Sequence, residues 1–215
     1  MTDTELQHKS EHLKEQKINY VKSQYEILFD KIKNKQNNSI YLPKEIQSII
    51  INYLNFEEIH TNNSLKLLIN KCKQNKDYRC LTVPNFDTSC ITSMHSLFIH
   101  CEDFNENINH WDVSNVTNMS CVFWDCHTFN KPLNKWNVSK ATTMQCMFIE
   151  CYEFNQALYK WKVKNVNDFS YMFSCCKNFN KSLKKWKIKQ TADVDNMFCR
   201  CKQMKETNKP AISVS

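Results

Sequence analysis

The chain has 215 residues, with 29 Lys and Arg against 22 Asp and Glu for a net charge of +7, and it is 41% apolar and 24% charged. Those fractions fit a folded globular protein and argue against wholesale disorder. Glycine is absent, which excludes a Gly-rich phosphate loop, a dinucleotide fingerprint and a G-x-S-x-G nucleophile elbow, and leaves positive-φ positions to asparagine, the next most tolerant residue.

The opening "MTDTELQHKSEHLKEQ" has no apolar stretch of the signal-peptide kind, and no run of about 18 apolar residues occurs anywhere. An intracellular, cytoplasmic protein without a membrane partner is expected, with its 12 cysteines reduced. Ile18, Val21, Tyr25, Leu28 and Ile32 recur at steps of three and four, which places them on one stripe of a charged amphipathic helix within residues 1–38. That stripe either packs on its own domain or pairs with a second copy.

"NNS" at 37–39 breaks the pattern, and residues 39–84 form a second helical segment. Pro43 suits a first helical turn, and Ile46, Ile49, Ile50, Tyr53 and Leu54 come after it at helical spacing. Leu42, Pro43, Glu45 and these apolar residues resemble the opening of an F-box. The resemblance implies that Leu42, Pro43, Ile46, Ile49, Ile50 and Leu54 dock on the Skp1 subunit of a cullin ubiquitin ligase, while a C-terminal repeat domain holds the substrate. The alternative is a helical cap on the C-terminal part of the chain.

A 25-residue period governs residues 85–208. Trp111, Trp136, Trp161 and Trp186 share one column, with Phe86 in the first copy; Phe98, Phe123, Phe148, Phe173 and Phe198 form a second. Cys101, Cys126, Cys151, Cys176 and Cys201 form a third, and Phe104, Phe129, Phe154 and Phe179, each followed by Asn, a fourth. A fixed period of this length marks a repeat in which one unit cannot bury its apolar face and stacked units can. The expected fold is an α/β repeat solenoid, leucine-rich-repeat-like, with a short parallel strand at each "W-x-V" and a short helical or 3₁₀ turn closing each coil, preceded by an N-terminal α-helical segment. The Asn column is expected to satisfy the backbone of the bend inside its own coil. Residues 209–215 are expected to be a disordered tail.

"FNENINHWDVSNVTNMSCVF" at 104–123 resembles the BspA-type leucine-rich-repeat family almost letter for letter. That resemblance implies a solenoid that binds other proteins, often on bacterial or protist surfaces. Together with the F-box-like segment and the Asn- and Lys-rich composition, it looks like proteins of giant DNA viruses and amoebae; in the viral case the compartment is the host cytoplasm.

The cysteine column offers single thiols strung along an axis, whereas zinc needs ligands around one point, so no metal, cofactor or catalytic residue is expected from it. His95, His100, His110 and His127 occupy different positions of the coil without a partnered nucleophile. "HC" at 100–101 and "CH" at 126–127 put histidines on opposite sides of the cysteine column. No reaction and no small-molecule substrate is proposed by the sequence. The positions around the tryptophan column vary while the columns hold, and they turn basic along the chain: Lys160, Lys162 and Lys164, then Lys184, Lys185, Lys187 and Lys189. Either this is a solvated face or it docks an anionic partner. The expected function is a non-enzymatic protein–protein interaction module, in its finer form a substrate adaptor of a Skp1–cullin ligase. The alternatives are a cell- or virion-surface adhesin and a nucleic-acid binder using the basic face, the latter disfavoured because no exposed aromatic column interleaves with the lysines.

Overall fold

The computed structural model of the chain describes residues 61–82 and 87–213. The helix expected over 1–38 and the F-box-like residues Leu42, Pro43, Ile46, Ile49, Ile50 and Leu54 lie outside them.

Helix α1 spans Asn62–Asn75. Thr61 caps it: its hydroxyl accepts from the Ser64 amide, and the Ser64 hydroxyl accepts from the Thr61 amide, so two otherwise orphaned donors are satisfied reciprocally. Lys76, at φ 51°, ends the helix in the left-handed conformation, where its amide reaches back to the Cys72 and Lys73 carbonyls. Leu65, Ile69 and Cys72, at helical spacing, are buried. Asn62 fixes the helix start to the first repeat, its side-chain oxygen accepting from the amides of Thr92 and Ser93. Lys73 reaches the Ile99 carbonyl at 2.9 Å. Helix and repeats fall in one compact unit, Glu58–Ser215.

In the repeats, successive copies are joined by backbone hydrogen bonds. Parallel bridges connect Ser93 to Asn118, Asn118 to Thr143, Thr143 to Asp168 and Asp168 to Asp193. From Met94 onward alternate amides donate to the next copy: Met94 to Asn118, Ser96 to Ser120, Phe98 to Val122 and His100 to Trp124, all at 2.9–3.0 Å. The intervening amides turn back three residues, Leu97 to Met94 and Cys101 to Phe98. The same scheme recurs from Met119, Met144 and Phe169. Trp136, Asn137 and Val138 alternate buried, exposed, buried as an extended segment does. The cross-copy ladder, however, runs through 93–100 and its equivalents rather than through "W-x-V". Among the described residues, strand pairing at the latter column involves β1 (Ile188–Lys189) with β2 (Ile212–Ser213). Part of the segment expected as a tail thus serves as a parallel partner for Ile188.

The reversals in this ladder use positive φ without glycine. Ser96, Cys121, Cys146, Tyr171 and Asn196 form one left-handed column, and His100, Asp125, Glu150, Cys175 and Arg200 another. The expectation that asparagine would take these positions fails except at Asn196. The left-handed conformation costs roughly 1–2 kcal/mol for a residue with a Cβ, and an amide-to-carbonyl bond to the adjacent copy, 2.8 Å from Asp125 to Ile149 for example, offsets it.

The interior is built of columns. Phe98, Phe123, Phe148 and Phe173 stack at 5.4–5.5 Å between ring centres, and each packs on the second phenylalanine of its own copy at 4.2–4.3 Å. Trp136, Trp161 and Trp186 stack at 6.4 and 6.2 Å. Their buried indole N–H groups need acceptors and find the carbonyls of Ile108, Leu133 and Leu158. The asparagines act between copies: Asn105, Asn130 and Asn155 each accept from the backbone amide of the asparagine 25 residues later, at 3.0–3.1 Å. Satisfaction within one coil was expected; the side-chain oxygen instead bridges to the neighbouring copy.

Candidate functional site

The lysine face is where the tryptophan column places it. Trp161, Val163, Trp186 and Ile188 are buried, so the residues between them point outward. Lys160, Lys162, Lys164, Lys185, Lys187 and Lys189 are all exposed, as is Lys184. The Lys185 ammonium lies 5.5 Å from the ring centre of Tyr159, which is itself 43% exposed. That tyrosine was not singled out from the sequence, although it sits next to Lys160. Lys189 donates to the Asn167 side-chain oxygen at 2.9 Å. The other lysines of the patch stand on consecutive copies with nothing acidic interposed between them in sequence from 159 to 164 or from 181 to 189.

The cysteine column is a set of donors. Cys126, Cys151 and Cys176 point their sulfurs at the carbonyls of Phe98, Phe123 and Phe148, at 2.8–3.0 Å. Burial pushes all three thiols well above the usual range, which keeps them protonated and poor as nucleophiles or metal ligands. Cys201 is pushed up to about 11 by burial, and Cys146 to about 11 by burial and then by Cys121 beside it.

The residues on either side of that column face outward together, and here sequence reasoning missed a cluster. Asp125 and His127 flank the inward Cys126, so as i and i+2 they share the outer side. His127 Nε2 meets Asp125 Oδ1, and His100 Nδ1 lies 2.9 Å from the other oxygen, Oδ2. Glu102 Oε2 is 3.7 Å from His127 Nδ1. The His127 ring lies flat on Tyr152, 4.5 Å between centres at 12°, and the Lys177 ammonium sits over the Tyr152 ring, 3.6 Å from its centre. The Tyr152 hydroxyl is 3.5 Å from Glu150 Oε2. Burial raises the Tyr152 phenol, and the Glu150 and Asp125 carboxylates raise it further. One ligand atom each from Asp125, His127 and Glu150 lies within 4.8 Å of the others. The signal was there to read down the copies: the left-handed column runs His100, Asp125, Glu150, and the column after cysteine runs Glu102, His127, Tyr152, Lys177.

Among the described residues no helix is long and apolar enough to cross a membrane. No curated protein and no solved structure matches the chain significantly. A family described as "Mycoplasma protein of unknown function, DUF285" matches residues 63–174 and 133–211, which take in α1 and the repeats. The match is compatible with the BspA-type resemblance of the repeats. Spanning well over half of its 215 residues, that match shows that the chain belongs to the DUF285 family.

Proposed function

We propose that this chain is a non-enzymatic interaction module: a short leucine-rich-repeat-like solenoid whose lysine face docks an acidic segment of a partner protein. The observation that carries the reading is the exposure of Lys160, Lys162, Lys164, Lys185, Lys187 and Lys189 on consecutive copies, around the buried and mutually stacked Trp161 and Trp186. A rigid base matters because docking then costs little ordering of the receptor. Tyr159 adds an aromatic anchor beside the charges, a residue type enriched at interfaces. Reversing Lys162 and Lys187 to Glu abolishes capture of an acidic polypeptide such as polyglutamate while leaving the circular dichroism unchanged. Stronger capture of single-stranded nucleic acid than of polyglutamate at equal salt, lost in the same variant, would favour the nucleic-acid reading instead.

The finer reading, an adaptor of a Skp1–cullin ligase, rests on the sequence of Leu42, Pro43, Ile46, Ile49, Ile50 and Leu54. A pull-down with Skp1, comparing wild type with a Leu42→Ala, Ile46→Ala double variant, tests it. Binding lost in the double variant makes the chain an adaptor, and a wild type that does not bind leaves a stand-alone module.

A further inference from the structure

The cluster around Asp125 is independent of the lysine face, and its donors converge from two consecutive copies. We propose that Asp125, His127 and Glu150 form a binding site for one divalent transition cation of the zinc class. The donor set is one imidazole nitrogen and two carboxylate oxygens within 4.8 Å of one another. Imidazole with carboxylate suits zinc and its neighbours, whereas calcium and magnesium take oxygen shells. Three protein ligands around zinc leave a fourth position for solvent or a partner's side chain.

Two features outside the donor set point the same way. His127 has a carboxylate, Glu102, 3.7 Å from Nδ1 on the side away from Asp125, placed where it can close to a hydrogen bond that orients a metal-bound imidazole. Tyr152 holds the imidazole plane from one face. The two carboxylate ligands are set by backbone rather than by loop sequence: the Asp125 amide donates to Ile149 at 2.8 Å and the Glu150 amide to Ser174 at 3.0 Å. Asp125 is shared between His100 and His127, with Glu102 beside His127 and Glu150 beside Tyr152. A divalent cation neutralises the two carboxylates at once and ties one copy to the next at the outer edge of the bend.

The test is a zinc titration of the full chain by calorimetry under a non-chelating phosphine reductant, with cobalt as the optical probe. One equivalent binds, cobalt shows ligand-field bands without the near-ultraviolet charge transfer of a thiolate, and zinc raises the melting temperature. Glu150→Gln and Asp125→Asn each weaken binding about 100-fold or more, and Glu102→Gln weakens it about 10-fold. Cys175→Ser, next to the ladder, leaves affinity unchanged. Zinc affinity unaltered in Glu150→Gln, a thiolate charge-transfer band, or a wild type that takes up no zinc at micromolar concentration overturns the proposal. Glu150 is half-buried at the surface, so its variant decides the matter even where Asp125→Asn does not fold.

Discussion

Phe148 and Phe198 occupy the same column with the same ring geometry, and they are not equivalent. Phe148 is enclosed between Phe123 and Phe173, at 5.4 and 5.5 Å, and has no exposed surface. Phe198 lies on Phe173 at 5.6 Å and 1°, yet it also meets the Lys209 ammonium at 5.5 Å where Phe148 has a second ring, and it is only half-buried. The thiols behave alike: Cys151 is fully buried, while Cys201 keeps 8% of its surface. A copy therefore draws its stability from what covers it, and equal sequence does not mean equal energy. The last copy shows which features survive a missing lid. Lys205 stands in the asparagine column and still donates its amide to Asn180 at 3.1 Å, because that bond requires a backbone N–H and no particular side chain.

The sharpest way to break this comparison is truncation of the two rings. Phe148→Ala should cost about 3–5 kcal/mol, since the layers on both sides cannot collapse into the void. Phe198→Ala should cost about 1 kcal/mol, in proportion to its smaller burial. Urea denaturation of both variants measures the difference, and equal losses would show that the end copy is covered as well as the middle one. A smaller effect separates the thiols by pH. The folded values of Cys126, Cys151 and Cys176 are raised by burial, so their contribution is complete below the unfolded thiol value of about 9 and is lost as pH rises through the folded ones. Melting temperature should then fall as pH rises from about 8 to about 10.5, and the fall should be shallower once Cys126, Cys151 and Cys176 are replaced by Ala. In the native state at about pH 8 a thiol reagent should modify Cys90, which is exposed, and spare these three. The smallest change expected is a gain: Cys146→Gly, at φ 57°, relieves the left-handed strain of a side-chain-bearing residue and should add about 0.5 kcal/mol after the entropy cost of glycine. No gain in thermal unfolding would mean that the cross-copy bonds have already removed the strain.

The columns were legible because an apolar position that recurs every 25 residues records a contact with its own copy in the next layer. Trp136, Phe123 and Cys126 could be placed inward from spacing alone. The ladder was less legible. Its hydrogen bonds are made by backbone, which leaves no residue signature, so the alternation of "W-x-V" stood out while the cross-copy bonds of 93–100 did not. The Asp125 cluster was hidden for another reason: its members are of different types in each copy, and a search for repetition passes over a column that reads His, Asp, Glu. Its residues meet only because 25 positions in sequence become one layer in space. The lysine patch was found since it repeats in kind, whereas Tyr159 next to it does not.

A turn made with glycine presents bare backbone to solvent. Here each copy reverses direction twice at residues that carry side chains, as at Ser96 and His100 or at Cys146 and Glu150. The corner of every layer thereby becomes a variable character rather than a blank, and a duplicated copy arrives with two extra places to diverge. A lineage that lengthens such a chain by copying gains vocabulary as fast as it gains length.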